Sequence, residues 1–265
     1  MPEADRGGGV IRWTFVIAYY NEADYLPATL AALAGQTVPL RLVLVDNGST
    51  DGSDAIARDF AAPGIQVVTL AEARPGKIHA LEAAMGELKT EFCAFGDADT
   101  WYPPHYLAEA ERAFDADPGV VAVMALGVDA SGQKIRRAIY SGIVTRILSK
   151  QTHTGGYGQA FRTRALVEAG GFSEKLWPYV LLDHEIMQRV AKLGRVVYPF
   201  RFWAKPSPRR SDRRRVRWTL AERFLYHATP FAAKDWYFHR FLGPRLKARG
   251  ITHLNLRDKP WEARP

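Results

Sequence analysis

The sequence predicts an α/β fold in which helices flank a doubly wound, mostly parallel sheet. Short β-rich segments alternate with helix-compatible segments from residue 11 to about residue 126, the order that parallel strands and crossover helices produce. The β-rich segments are almost continuously apolar, as expected for strands covered by helices on both faces. With 265 residues and 47% hydrophobic content, the chain can bury a large core, which excludes global disorder.

Four strands and three helices are expected in this first region. The predicted strands cover residues 13–20, 40–46, 65–70 and 91–97. The predicted helices between them cover residues 24–34, 53–61 and 77–88. Polar residues lie near the start of each helix and Gly or Pro lies nearby, which is typical of helix ends.

Beyond residue 126 the pattern becomes less regular. The segments expected there are a strand at 119–126, a helix near 136–149, a Gly-rich link at 155–158 and a helix at 182–193. The sequence RFWAKPSPRRSDRRRVR then predicts a Pro-broken basic loop, followed by aromatic-rich helical segments to about residue 248.

The positive charge of the chain is concentrated near its C-terminus. The formal net charge is +8 overall, but residues 1–200 carry −4 and residues 201–265 carry +12. Such a local excess favours an anionic partner, for which phosphate, an acidic lipid surface and nucleic acid are the alternatives. The sequence therefore predicts a helical, basic C-terminal extension.

The single cysteine excludes two classes of site. Because Cys93 is the only cysteine, an intrachain disulfide and a cysteine-rich zinc site are both impossible, and this residue lies in an apolar run. No run approaches the roughly 18 apolar residues of a membrane-spanning helix, and the start MPEADRGGG lacks the pattern of a secretory signal. We expect a cytoplasmic protein, with peripheral membrane contact as an option.

Polar side chains follow three of the predicted strands. The strand ends are Tyr20-Asn21-Glu22, Asp46-Asn47-Gly48 and Asp97-Ala98-Asp99. In open α/β sheets ligands bind beyond the carboxyl ends of the strands. These residues therefore predict a binding site at one edge of the sheet.

Asp97 and Asp99 flank one small residue, so both carboxylates can reach the same strand exit. Carboxylate oxygens are hard ligands suited to Mg²⁺ or Mn²⁺, and such an ion can neutralise a phosphate leaving group. The alternative is a pair of turn acids, because an Asp-x-Asp motif alone has low specificity.

Five ordered segments resemble motifs of family 2 glycosyltransferases, which adopt the GT-A fold. Three resemble the nucleotide-sugar-binding half of that family: IAYYNEADYLPATLAALAGQTVPLRLVLVDNGSTDGSDAIA, RPGKIHALEAAM and FGDADTWYPPHYL. Two resemble its acceptor-side motifs: TGGYGQAFRTRALVEAGGF and LLDHEIMQRVAKLGRVV. The resemblance covers roughly residues 11 to 200, and five motifs in order are far more specific than one.

The resemblance implies a division of the chain into four parts. They are a flexible N-terminus (1–10), a nucleotide-sugar-binding half (11–126), an acceptor-binding half of the same domain (127–200) and the basic extension (201–265).

The resemblance also implies roles at the donor side. The residues it places at the nucleotide and its diphosphate are Tyr20, Asn21, Glu22, Asp46, Lys77 and Asp97. Asp99, with Asp97, would ligate Mn²⁺ or Mg²⁺. The bland alternatives are a core aromatic for Tyr20, a turn for DNGSTDG and a solvated lysine for Lys77.

Asp183 resembles the general base of inverting members. A carboxylate must take the proton of the acceptor hydroxyl as the sugar–phosphate bond breaks. Leu182 stands where the family commonly has glutamate, so the preceding acid is missing. The alternative for Asp183 is a helix N-terminal acid stabilised by the dipole.

Further residues are assigned to the acceptor by the same resemblance. They are Gly155, Gly156, Tyr157, Trp177, His184 and Glu185. Glycine permits close backbone approach to a ligand. Packing is the alternative for Trp177, and an ion pair with Arg189 is the alternative for Glu185.

The arginine-rich loop allows three interpretations. Arg209 and Arg210 could clamp the donor diphosphate, the loop could meet an anionic membrane, or it could be a solvated face. Arg214 stands where processive members have glutamine, which disfavours a polymerising enzyme.

The function that the resemblance implies is that of a metal-dependent, inverting glycosyltransferase of the hexosyltransferase type. The expected donor is a UDP-sugar, and the acceptor is a saccharide, a lipid-linked molecule or a small molecule. The alternatives are a basic membrane- or nucleic-acid-binding module and an inactive sugar-nucleotide-binding scaffold, although nucleic acid is the less expected partner.

Overall fold

The computed structural model describes residues 10–128, 155–207 and 219–256. The strands are β1 (Trp13–Tyr19), β2 (Leu40–Asp46), β3 (Ile65–Ala71), β4 (Phe92–Gly96), β5 (Thr100–Trp101), β6 (Val120–Met124), β7 (Leu126–Gly127), β8 (Gln159–Arg162), β9 (Arg195–Val197) and β10 (Trp203–Pro206). The α-helices are α1 (Leu26–Ala34), α2 (Ser53–Asp59), α3 (Lys77–Met85), α4 (Tyr106–Ala116), α5 (Thr163–Glu168), α6 (Leu182–Val190), α7 (Leu220–Ala228) and α8 (Gly243–Ala248).

A seven-stranded sheet has the order β3-β2-β1-β4-β8-β6-β9. All neighbouring pairs are parallel except those made by β8, which runs antiparallel to both β4 and β6. Tyr19 pairs with Asp46, and Ile17 pairs with Gly96. The register thus brings the carboxyl ends of β1, β2 and β4 to one edge, and the predicted α/β class with a mostly parallel sheet is confirmed.

Helices cover both faces of this sheet because the strand side chains alternate between two cores. Along β1, Phe15 and Ile17 join a cluster that includes helices α1 and α4, whereas Val16 joins a cluster that includes α3 and α6. Cys93 on β4 is fully buried in the second of these clusters. Burial on both faces explains the nearly continuous apolar runs of the strands.

The predicted helices that lie in the described residues form, but they are shorter than expected. Helix α1 begins at Leu26 and carries Pro27 in its first turn, where a missing N–H costs nothing. Helix α3 ends at Met85, before Gly86. The helix predicted near 136–149 lies outside the described residues.

The segment predicted as a basic loop contains a strand. β10 lies between β5 and β7 in a separate three-stranded sheet, so the loop interpretation is wrong for Trp203–Pro206. β10 has only four residues and each partner strand has two, so the alternation of side chains is too short to indicate a strand in the sequence. Pro206 is the last residue of the strand.

Residues 219–256 form short aromatic helical segments, as predicted. Helix α7 begins with a capping box, in which Thr219 and Glu222 satisfy each other's backbone N–H groups. A 3₁₀ turn, a π-helical segment (Trp236–Leu242), α8 and a final 3₁₀ turn (His253–Leu256) follow. In the described parts of the chain, no helix is long and apolar enough to cross a membrane.

Candidate active site

Hydrogen bonds tie the loop after β1 to the loop after β2. The side-chain oxygen of Asn21 accepts from the Thr50 N–H at 2.8 Å, and the Asn21 N–H donates to the Ser49 hydroxyl at 3.0 Å. One residue on, the Glu22 N–H donates to the Ser53 hydroxyl at 2.8 Å. The two loops therefore form one unit, and Asn21 accommodates this with a positive φ of 51°.

Tyr20 and Asp46 lie at the ends of β1 and β2, in half-buried positions. Strand alternation sends Tyr19 into the core instead, where it is 4% exposed, so the core-aromatic interpretation does not apply to Tyr20. The Asp46 carboxylate accepts the Ser49 N–H at 3.0 Å, so this acid stabilises the turn that follows it.

Asn47, which the sequence places at a strand end without a role of its own, is a positioning residue. Its amide donates to the carbonyls of Glu72 and Arg74 at 3.0 and 2.8 Å, and its side-chain oxygen accepts the Gly76 N–H at 2.7 Å. These three bonds fix the loop that leads into α3. The first residue of that helix is Lys77. The Asp-Asn-Gly turn composition was the only signal in the sequence.

Asp97 and Asp99 lie together just beyond β4, and each is 6% exposed. The Lys77 ammonium donates to the Asp97 carboxylate. Two buried carboxylates, two residues apart, provide a hard, oxygen-rich donor set, so these residues fit a divalent cation of the Mg²⁺ or Mn²⁺ type. The Ser207 N–H donates to the Asp99 carbonyl at 3.0 Å, which brings the end of β10 to the same place.

Asp183 lies in the first turn of α6, and its carboxylate is held in a fixed orientation. Its two oxygens accept the Gly156 N–H at 2.9 Å and the His184 N–H at 3.1 Å. The Asp183 carbonyl accepts from the Gln159 side chain at 2.9 Å, a second contact missed from sequence.

Gly156 lies close to the starts of both α3 and α6. A Cβ atom added at this glycine would lie 3.6 Å from the Asp183 Cβ and 3.8 Å from the Lys77 Nζ. The Lys77–Asp97 ion pair and Asp183 therefore flank the same bare stretch of backbone. A side chain at position 156 would fill the space between them.

Tyr102 connects β4 to this glycine-rich loop and was not predicted from sequence. Its hydroxyl accepts the Asp97 N–H at 3.2 Å and donates to the Tyr157 carbonyl at 3.0 Å. Burial raises the pKa of Tyr102 well above its usual value, so the hydroxyl stays protonated. The Tyr157 ring itself packs against Gly127.

Two residues assigned to the acceptor are buried in the fold, which favours the alternative interpretation of each. Trp177 is 2% exposed, its indole N–H donates to the Val180 carbonyl at 2.7 Å, and its ring packs on Phe238. Glu185 is 1% exposed and pairs with Arg189 at 2.8 Å, which was the alternative interpretation. Glu185 faces inward from α6, whereas Trp177 lies in the segment between α5 and α6.

The remaining predicted residues have mixed outcomes. His184 is half-buried, and its Nδ1 lies 3.1 Å from the Tyr226 hydroxyl. Gly155 adjoins Tyr157 and Asp183. Arg209 and Arg210 lie outside the described residues.

The fold resembles those of solved glycosyltransferases. The mannosyltransferase PcManGT from Pyrobaculum calidifontis, in complex with GDP-Man and Mn²⁺, is 25% identical with a TM-score of 0.66, and the match covers 90% of this chain and 68% of that one. TarS (residues 1–349) of S. aureus, in complex with UDP-GlcNAc, has a TM-score of 0.59 at 18% identity, covering 89% and 73%, which shows the fold alone.

Curated relatives match part of the chain. The undecaprenyl-phosphate 4-deoxy-4-formamido-L-arabinose transferase of Edwardsiella ictaluri (strain 93-146) is 32% identical over 144 residues, which are 51% of this chain and 44% of the relative. For three such relatives the matched share of their own length is 29% to 44%.

The family profile described as "Glycosyl transferase family 2" matches residues 14–169, more than half of the chain. This match spans β1 to α5 and includes the edge where β1, β2 and β4 end. Together with the GT-A architecture of the sheet, it establishes that the chain belongs to glycosyl transferase family 2.

Proposed function

We propose that this protein transfers a sugar from a nucleoside diphosphate donor to an acceptor hydroxyl, with inversion at the anomeric carbon. The observation that carries the proposal is the convergence at Gly156. There the Lys77–Asp97 ion pair lies on one side and the oriented carboxylate of Asp183 on the other. In the proposed reaction Lys77 would bind phosphate and Asp183 would accept the proton of the acceptor.

On the donor side, the joined loops after β1 and β2 would hold the nucleoside. Tyr20 offers a half-buried aromatic face for the base, while Asn21, Glu22 and Asp46 offer polar groups for the base and ribose. Lys77 would bind the diphosphate. UDP is the nucleotide we propose, and GDP is the alternative that the experiment below separates.

A divalent cation would be held by Asp97 and Asp99. When bound, Mn²⁺ or Mg²⁺ neutralises charge that develops on the departing diphosphate. Both carboxylates are buried at one strand end, which supports this role.

Arg209 and Arg210 would close over the diphosphate. Support comes from Ser207, whose N–H contacts the Asp99 carbonyl at 3.0 Å. Arg209 follows two residues later, and a fully extended chain covers at most about 7 Å over two residues. One guanidinium group can donate two parallel hydrogen bonds to phosphate oxygens, which suits a residue that clamps a diphosphate.

On the acceptor side, Asp183 would act as the general base. It takes the proton of the acceptor hydroxyl while the acceptor oxygen bonds to the anomeric carbon. The bond between that carbon and the phosphate oxygen breaks, and its electron pair leaves with the nucleoside diphosphate. The acceptor, a saccharide or a lipid-linked or small molecule, would lie against Gly155, Gly156, Tyr157 and His184.

The donor half of the proposal is tested by calorimetric binding. UDP, GDP and heparin are titrated into the wild type, Asp99→Ala and Asp59→Ala, each with and without Mn²⁺. Asp59 is exposed at the end of α2 and serves as the matched control. We expect one nucleotide to bind in a Mn²⁺-dependent manner and to lose affinity only in Asp99→Ala. Heparin binding alone, equal in all three proteins, would contradict the proposal and favour a polyanion-binding module.

The acceptor half is tested with Asp183→Asn. Removing a general base lowers turnover by about 10²- to 10⁴-fold, so we expect donor hydrolysis and transfer to fall by this amount. Donor affinity should stay within a few fold, and Asp59→Asn should behave as the wild type. Equal loss of donor binding in Asp183→Asn and Asp99→Ala would show that Asp183 holds the fold or the cation instead.

A further inference from the structure

Three side chains from distant segments meet near the start of α3. His79 belongs to α3, Glu174 to the segment between α5 and α6, and His253 to the final 3₁₀ turn. One ligand atom from each lies within 4.8 Å of the others. The Glu174 carboxylate lies between the two rings, 2.9 Å from the His79 Nε2 and 3.3 Å from the His253 Nε2.

The hydrogen bond on the other side of the His79 ring fixes its tautomer. The Nδ1 atom lies 3.0 Å from the Pro75 carbonyl oxygen, which can only accept, so Nδ1 carries a hydrogen. In the neutral ring the Nε2 atom then presents a lone pair. That lone pair faces a carboxylate oxygen at 2.9 Å. Two lone pairs at this distance repel, so the two atoms must share a cation, either a second proton on the ring or a metal ion bound to both.

The buried position of the His79 Nε2, 2.9 Å from the Glu174 carboxylate, allows the two atoms to share a metal ion. An imidazole N–H donated to a backbone carbonyl is also the arrangement that orients metal-binding histidines.

The absence of a side chain at Gly76 leaves room for the His253 ring. A Cβ atom at Gly76 would lie 2.2 Å from the His253 Nδ1, so only glycine allows the ring to pack there. His253 is 2% exposed and His79 is 7% exposed. The two imidazoles are therefore preorganised, while the Glu174 side chain, at 44% exposure, closes the cluster from the solvent side.

We propose that His79, Glu174 and His253 form a binding site for Zn²⁺ or a similar first-row cation. Two imidazole nitrogens and a carboxylate are a donor set that suits Zn²⁺, and three protein ligands leave a further position for water. This chemistry differs from the all-carboxylate pair of Asp97 and Asp99, which suits Mg²⁺ or Mn²⁺. The two proposed sites thus differ in the metal ions that their ligands prefer.

The site would join the C-terminal turn to the helix that carries Lys77. His79 lies two residues after Lys77 on α3, and Lys77 contacts Asp97. A cation bound here would hold the start of α3 against the last described turn of the chain. This structural role does not depend on the transferase activity proposed above.

The test uses the full chain after removal of metals with EDTA, in the absence of nucleotide. Co²⁺ is titrated and followed by its visible absorption, and Zn²⁺ is titrated by calorimetry, with thermal unfolding recorded in parallel. We expect one equivalent of each ion to bind and Zn²⁺ to raise the unfolding temperature. His79→Gln and His253→Gln should bind at least 10-fold more weakly, whereas the exposed control His227→Gln should bind as the wild type.

Several results would overturn the proposal. The wild type could bind neither ion, which would mean that a proton holds the cluster. Binding could be unchanged in both histidine variants, or it could be lost in Asp99→Ala, which would place the ion at the donor side. If the histidine variants fail to fold by circular dichroism, Glu174→Gln decides the question, because its partly exposed side chain can be replaced without opening the core.

Discussion

The two sides of the site are held together by different forces. On the donor edge, meaning the loops after β1, β2 and β4, side chains such as Asn21 and Asn47 bond to backbone groups of neighbouring loops. On the acceptor side, meaning residues 155–198 and 219–256, aromatic packing and a buried ion pair dominate, as Trp177 and Glu185 show. Polar side chains at the strand ends thus tie neighbouring loops together, whereas Trp177 and Glu185 on the acceptor side are buried in the core.

Glu185→Ala should have the largest effect on stability and would test whether the acceptor side depends on its buried ion pair. It leaves Arg189 without its carboxylate, although that arginine keeps the Ala169 and Gly171 carbonyls. We expect a loss of about 3 kcal/mol in the free energy of unfolding, measured with urea. An exposed pair provides the control, since Asp235→Ala should cost less than about 1 kcal/mol. Equal costs would remove the contrast.

Lys234 makes the acceptor side sensitive to pH. This residue is 1% exposed, donates to the Tyr226 carbonyl and lies 3.7 Å from the centre of the Tyr226 ring. Burial lowers the pKa of Lys234 from 10.5 to about 8. Between these values the unfolded chain binds more protons than the folded one, so stability rises with pH across this window.

The change is measured as the difference between the wild type and Lys234→Met in urea at pH 7.5 and 9.5. Relative to the variant, the wild type should gain about 2 kcal/mol over this interval. A constant difference between the two proteins would show that Lys234 keeps an ordinary pKa.

Asn47→Ala tests the donor edge, which should respond in binding more than in stability. The variant loses three hydrogen bonds to the loop before Lys77, and we expect a cost of about 1–2 kcal/mol in unfolding. Because Lys77 is then less well placed, nucleotide affinity should fall by about 10-fold. Asn47→Asp keeps only the acceptor for the Gly76 N–H, so its affinity should lie between the two. Unchanged affinity in both variants would separate the loop from donor binding.

Trp177→Phe should have the smallest effect and tests whether Trp177 packs in the core or binds the acceptor. The variant loses the bond to the Val180 carbonyl but keeps most of the ring packing, so stability should fall by about 1 kcal/mol. Turnover and the acceptor KM should stay within about twofold. A large rise in KM alone would restore Trp177 as a sugar-binding residue.

The sequence predicts the donor edge better than the acceptor side for a geometric reason. Parallel strands place their carboxyl ends at one edge, so finding Asp46 and Asp97 at strand ends was enough to place them together. Hydrogen bonds from Asn47 or Tyr102 could not be read in this way, because they depend on loop paths. On α6, Asp183 and Glu185 are two residues apart, and only packing decides that Glu185 faces Arg189.

The burial of Cys93 has a practical consequence. It is the only cysteine of the chain, and burial raises its pKa to about 12, so its thiol is shielded from alkylating reagents at neutral pH. A single exposed cysteine introduced elsewhere would therefore be labelled selectively, without first removing the natural one. With two introduced cysteines, for instance one on α2 and one on α7, a pair of fluorophores could report the distance between the two sides of the site during turnover.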